Sequence, residues 1–147
     1  SQADKWVRMA MKMTAITPES CDVELLGRMT SEQMAPIMKT CDIYCHVSHI
    51  ENSPNSVCEA MLLGMPVIAT FAGGTPSILE HQKEGLLVQD GEPYSLAAVI
   101  CWLHFNFSKA QEMATNARKR ALWRHDAKRI GKELIDVYSY IINDFKI

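Results

Sequence analysis

Hydrophobic and polar positions along the 147 residues switch between two periods, and the switches outline the elements. From about 3 to 15, Trp6, Val7, Ala10 and Met13 share one side of a helical repeat while Lys5, Arg8 and Lys12 lie elsewhere, which predicts a helix with its apolar side toward a core. Thr17-Pro18-Glu19-Ser20 breaks it. Short apolar runs predict strands at 23–26, 42–47 and 85–88, and Pro66-Val67-Ile68-Ala69 predicts another, closed by Gly73-Gly74. Residues 27–30 form a loop, 31–39 a short helix capped by Ser31, and a further short helix begins at Pro76 behind a Thr75 cap. Asp90-Gly91-Glu92-Pro93 is a turn, and helices follow over 94–103, 108–123 and 126–144. The last one repeats Ile130, Leu134, Val137, Ile141 and Phe145 at steps of four, three, four and four, as in a helix that buries one stripe, with Lys128, Arg129 and Lys132 on a solvated face. Strands alternating with helices predict an α/β domain with a parallel sheet.

The stretch from Val47 to Gly74 reads as one strand-helix-strand unit. Asn52 or Ser53 can cap the helix, Pro54 suits its first position, and Asn55 and Ser56 follow in the first turn. Unpaired N–H groups and the positive dipole end of such a helix attract an anion in the crevice beyond the preceding strand. Glu59 falls about 7.5 Å into the helix at the standard rise, roughly the reach from a diphosphate to its ribose. A carboxylate there can accept two hydrogen bonds from a ribose diol, while Glu51 on the preceding loop can accept hydroxyl protons from a sugar beyond the phosphates.

Ser48, Glu51, Glu59-Ala60-Met61, Gly64-Met65-Pro66-Val67-Ile68-Ala69 and Gly73-Gly74 stand in the order and spacing that resemble the donor-site signature of retaining glycosyltransferases of family 4. The resemblance extends upstream through Val23-Glu24-Leu25-Leu26-Gly27-Arg28, Ser31-Glu32-Gln33-Met34 and Cys41-Asp42-Ile43-Tyr44, and downstream through Glu84-Gly85-Leu86-Leu87-Val88, Asp90 and Leu96-Ala97-Ala98. It implies the Rossmann-like, nucleotide-sugar-binding C-terminal lobe of a two-lobed GT-B enzyme, a single partial domain over 1–147 with C-terminal helices over 108–145. It implies transfer of a sugar from a nucleotide diphosphate donor to an acceptor glycan, lipid or small molecule, with the anomeric configuration kept and no divalent metal or other cofactor. Glu51 would be catalytic by holding the donor sugar, Asn52, Ser53, Asn55, Ser56 and Glu59 would bind donor with it, and Gly27, Arg28 and Met29 would neighbour the base. Where the family pattern has a small residue and an aromatic or leucine after the first Glu, this chain has Asn52-Ser53. The first two strands of the lobe, with an Arg and a Lys for the phosphates, would precede Ser1. The chain is therefore expected to be a fragment, inactive alone, whose missing strands and acceptor lobe come from the rest of the protein; the alternatives are that another chain supplies the missing strands or that strands 23–26 and 42–47 pair directly.

A net charge of −2 argues against a nucleic-acid partner. The five cysteines show no metal-ligand spacing and read as reduced, mostly buried thiols of a cytoplasmic protein. No apolar run approaches 18 residues, which leaves open only association of the parent with a membrane surface. His46 and His49 flank the end of strand 42–47 and read first as structural. Two other readings stand: the lobe of a non-hydrolysing sugar-nucleotide epimerase, or the non-catalytic subunit of a split transferase. No Gly-x-Gly-x-x-Gly follows a strand, which disfavours a dinucleotide oxidoreductase.

Overall fold

The computed structural model describes residues 9, 12–13, 23–24 and 26–145. Of the expected first helix, Met9, Lys12 and Met13 are helical and exposed, so Met13 does not face a core; the remainder lies outside the described residues. The chain divides into two compact units, residues 1–36 and 37–147. In the first, Val23, Glu24 and Leu26 form no strand, contrary to expectation, and Val23 and Leu26 are exposed. A strand needs a neighbour to take its N–H and C=O groups, and none of the described strands pairs with this segment.

Helix α1 (Ser31–Met38) starts at a capping box built on Thr30 rather than Ser31. Gln33 N–H donates to Thr30 Oγ1 at 3.4 Å, and Thr30 N–H donates to Gln33 Oε1 at 3.0 Å.

In the second unit, β1 (Tyr44–His46), β2 (Val67–Thr70) and β3 (Leu86–Val88) form a parallel sheet in that order. Tyr44 stands opposite Val67, and Ile68 opposite Leu86. Strand β2 is buried at every position, as the central strand of a sheet covered on both faces must be. The 42–47 strand shortens to Tyr44–His46 and is only half-buried, because it lies at the edge of the described sheet. Helix α2 (Asn55–Leu63) connects β1 to β2 and ends at Gly64, whose φ of 77° is the left-handed cap that glycine supplies most easily. Helix α3 (Thr75–Ile78) lies between β2 and β3. Thr75 does not cap it: Gly74 occupies that position, and Thr75 is the first helical residue, with a buried hydroxyl that finds no partner.

Helices α4 (Pro93–Phe105) and α5 (Phe107–Arg124) return the chain across the sheet. Ile68, Leu86 and Val88 pack with Leu103 of α4 and with Ala110 and Met113 of α5. Helix α5 also packs against α2, and its buried Ala114, Ala117 and Ala121 form a small-residue stripe that permits close approach. Buried Glu84 accepts the Glu80 N–H at 2.8 Å and pairs with Arg120 Nε at 3.4 Å, and Arg120 and Arg124 both donate to Ser77 O. These contacts fasten α5 to α3 and the loop before β3.

Helix α6 (Ala127–Phe145) departs from expectation. Its start is anchored: Asp126 Oδ1 caps Arg129 N–H, and the Arg129 guanidinium lies 3.9 Å over the Trp123 ring. Its stripe is not buried, with Ile130, Leu134, Val137 and Ile141 between 38% and 53% exposed. The thiols also differ from expectation: of the described cysteines only Cys58 is buried, and burial pushes its pKa up, while Cys41, Cys45 and Cys101 are exposed.

Candidate donor site

The loop between β1 and α2 is held by backbone from beyond β2. Ser48 N–H donates to Thr70 Oγ1 at 3.1 Å, and the same hydroxyl donates to Ser48 O at 2.7 Å, so the last residue of β2 clamps the loop after β1. Gly73 and Gly74 then pass directly beneath Glu51 and Asn52. A Cβ at Gly73 would lie 1.4 Å from Glu51 O, and one at Gly74 would lie 1.9 Å from Asn52 O. The double glycine is thus the contact that seats Glu51 and Asn52.

Glu51 is three-quarters buried and both its oxygens are held. Oε2 lies 2.9 Å from His46 Nε2, and Oε1 accepts the Asn52 N–H at 3.1 Å. Asn52 and Ser53 are exposed and neither caps α2, contrary to expectation. The N-cap is Pro54 itself, at φ −71° and ψ 104°, with no side-chain cap. Val57 and Cys58 donate to Pro54 O at 3.2 and 3.4 Å, so the first two helical amides, those of Asn55 and Ser56, have no intrahelical acceptor. Glu59 is the fifth residue of α2 and is partly buried.

Tyr44 connects these groups. Burial pushes its phenol above the usual tyrosine value, a hydrogen bond with Ser56 opposes this, and the charges of Glu59 and Glu51 add to the rise. Strand β1 runs from Tyr44 toward the loop that carries Glu51, so His46, Glu51 and the start of α2 lie at the C-terminal end of the sheet, where open α/β sheets bind ligands. At that same end His49 and Asp90 pair at 2.6 Å and help line a cavity of about 280 Å³ with Val47, Thr70 and Leu96. A cavity of about 790 Å³, lined by His81, Lys83, Trp102 and Asn116, lies at the start of β3 and so at the opposite end of the sheet. Gly27, Arg28 and Met29 belong to the first unit, where Gly27 has the positive φ of a turn, 72°, and Arg28 is exposed. Among the described residues, no three His, Cys, Asp or Glu side chains are grouped to hold a metal.

His46 is a residue that reads first as structural in the sequence and that the structure sets against Glu51. Its two-residue offset from Tyr44 was the available signal, since it puts both rings on the same face of β1.

A parallel sheet between helices, with its polar groups gathered at the C-terminal end and long helices closing the chain, is the Rossmann-like C-terminal lobe of the GT-B fold. The profile of the family described as glycosyl transferases group 1 matches residues 4–106, and the chain belongs to that family. The amylovoran biosynthesis glycosyltransferase AmsK of Erwinia amylovora is 31% identical over 88 residues, 56% of this chain and 21% of its own length. The putative colanic acid biosynthesis glycosyltransferase WcaL of Escherichia coli is 30% identical over 119 residues, 76% of this chain and 29% of its own. HepE of Anabaena, solved in complex with UDP, aligns at 31% identity and a TM-score of 0.78 over 92% of this chain and 36% of its own. The chain thus spans between about a fifth and about a third of the length of these three proteins.

Proposed function

We propose that this chain is the donor-binding part of a retaining glycosyltransferase that moves a sugar from a nucleotide diphosphate sugar to an acceptor. One observation carries the reading: the start of α2 presents the Asn55 and Ser56 amides with no capping side chain, between a held carboxylate before the helix, Glu51, and another within it, Glu59. The amides and the helix dipole would stabilise charge developing on the leaving diphosphate, a role that needs no metal. Glu59 would take the ribose hydroxyls. Glu51 would hold the sugar and steady positive charge at the anomeric carbon, with Asn52 and Ser53 beside it. The two glutamates would act at opposite ends of one ligand, unlike the paired carboxylates that flank one bond in glycoside hydrolases. The acceptor is assigned to the remainder of the protein. HepE was solved with UDP and with UDP-glucose, which supports a nucleotide-sugar ligand here.

The test is a thermal melt with UDP, GDP, ADP and NAD, with Glu59→Ala alongside. One nucleoside diphosphate at a hundredfold excess over its Kd should stabilise the chain by about 2.7 kcal/mol, a rise of several degrees, and should leave the variant unmoved. Equal response of the variant would remove Glu59 from the ribose. No response to any nucleotide would overturn the reading.

A further inference from the structure

His46 joins the two ends of this site. A carboxylate can only accept, so the 2.9 Å contact with Glu51 Oε2 puts a proton on His46 Nε2. In the neutral ring Nδ1 is then an acceptor, and the Ser56 hydroxyl stands 3.5 Å from it, close enough to donate. Ser56 is the second residue of α2, on the turn assigned to the diphosphate. Tyr44 stacks on His46 with ring centroids 6.4 Å apart and planes at 22°, which restrains the imidazole from a second side. Only about a sixth of the His46 side chain is exposed, so water competes weakly for these contacts.

We propose that His46 is a positioning residue for Glu51: the imidazole holds the carboxylate through Nε2–H and ties it through Nδ1 to Ser56 and the start of α2. The chain Glu51–His46–Ser56 fixes the sugar-holding group relative to the diphosphate-holding one. Each Glu51 oxygen accepts one protein hydrogen bond and keeps capacity for a sugar hydroxyl, so the carboxylate is oriented without being filled. The inference rests on the donor-site reading, and it assigns His46 to the sugar rather than to the nucleotide.

That assignment separates two ligands and two replacements. A Gln side chain carries an amide N–H near the place of Nε2, and an Asn side chain carries one near the place of Nδ1. Calorimetric titration of the 147-residue chain with UDP-glucose and with UDP, and with GDP-mannose and GDP beside them, is run on wild type, His46→Leu, His46→Gln and His46→Asn. His46→Leu should weaken the nucleotide sugar by about tenfold, the loss of one hydrogen bond to a charged group, and the nucleoside diphosphate by less than about twofold. His46→Gln should recover most of the sugar-nucleotide affinity and His46→Asn should not. Equal losses for both ligands, or Gln and Asn behaving alike, would overturn the role of His46 while leaving the donor site standing. Failure of the wild-type chain to bind any of the four would overturn the donor site, and the role of His46 with it.

Discussion

At Gly73 and Gly74 the requirement for glycine is steric before it is conformational. The Glu51 and Asn52 carbonyl oxygens occupy the space a side chain would need, and both are backbone atoms that cannot rotate away. Gly73 additionally holds a φ of 51°, so alanine there meets overlap and backbone strain together. Gly73→Ala should cost about 1–3 kcal/mol in urea denaturation and should lower nucleotide-sugar affinity by displacing Glu51. A variant of wild-type stability and affinity would show that the two loops can separate without consequence. The Thr70 hydroxyl does related work by polar means, exchanging two hydrogen bonds with Ser48.

At the scale of the element, α2 begins without a side-chain cap. Ordinary helices satisfy their first amides with Ser, Thr, Asp or Asn, and the absence costs stability that a bound anion can restore. Pro54 already has the extended backbone that a cap residue needs. Pro54→Ser should therefore stabilise the ligand-free chain by about 0.5–2 kcal/mol and at the same time weaken diphosphate binding, because its hydroxyl competes for the Ser56 amide. The two changes must have opposite signs. Stabilisation with undiminished affinity would show that the diphosphate does not sit on this turn. Helix α6 shows another side of element behaviour: its apolar stripe is regular, yet Leu134 and Val137 stay about half exposed, since no described element covers that face.

On the whole molecule, Tyr44 makes stability depend on alkaline pH. Its phenol is pushed up chiefly by burial, so the folded chain keeps a proton that the unfolded chain releases near the usual tyrosine value of about 10. A raised acid pKa on folding contributes stability that is present below the unfolded value and is lost as pH rises from there through the folded value. The wild-type melting temperature should fall more steeply than that of Tyr44→Phe between about pH 9.5 and 11. Parallel curves would mean that Tyr44 ionises alike in both states. Among the described residues no helix is long and apolar enough to cross a membrane.

The sequence alone determined β2, β3, α2, α4 and α5 to within a few residues, because their apolar periods, Gly64 and Gly73-Gly74 express local preferences that the fold does not oppose. It also determined membership of the group 1 glycosyltransferases, because an ordered string of Ser48, Glu51, Glu59, Gly64 and the paired glycines is a one-dimensional signal. What it misplaced depended on neighbours. Residues 23–26 and the stripe of α6 have the composition of buried elements, but burial requires something to be buried against, and composition cannot name it. Thr75 and Asn52 have the chemistry of caps, but a cap also needs the chain to enter the helix at the right angle, and the close passage of Gly73 and Gly74 under Glu51 and Asn52 sets that angle here. The polar chain from Glu51 through His46 to Ser56 joins residues at most ten positions apart, yet it exists because a strand and a helix pack with those side chains facing one another. Tertiary structure decided it, since hydrogen bonds form at distances that sequence spacing does not fix.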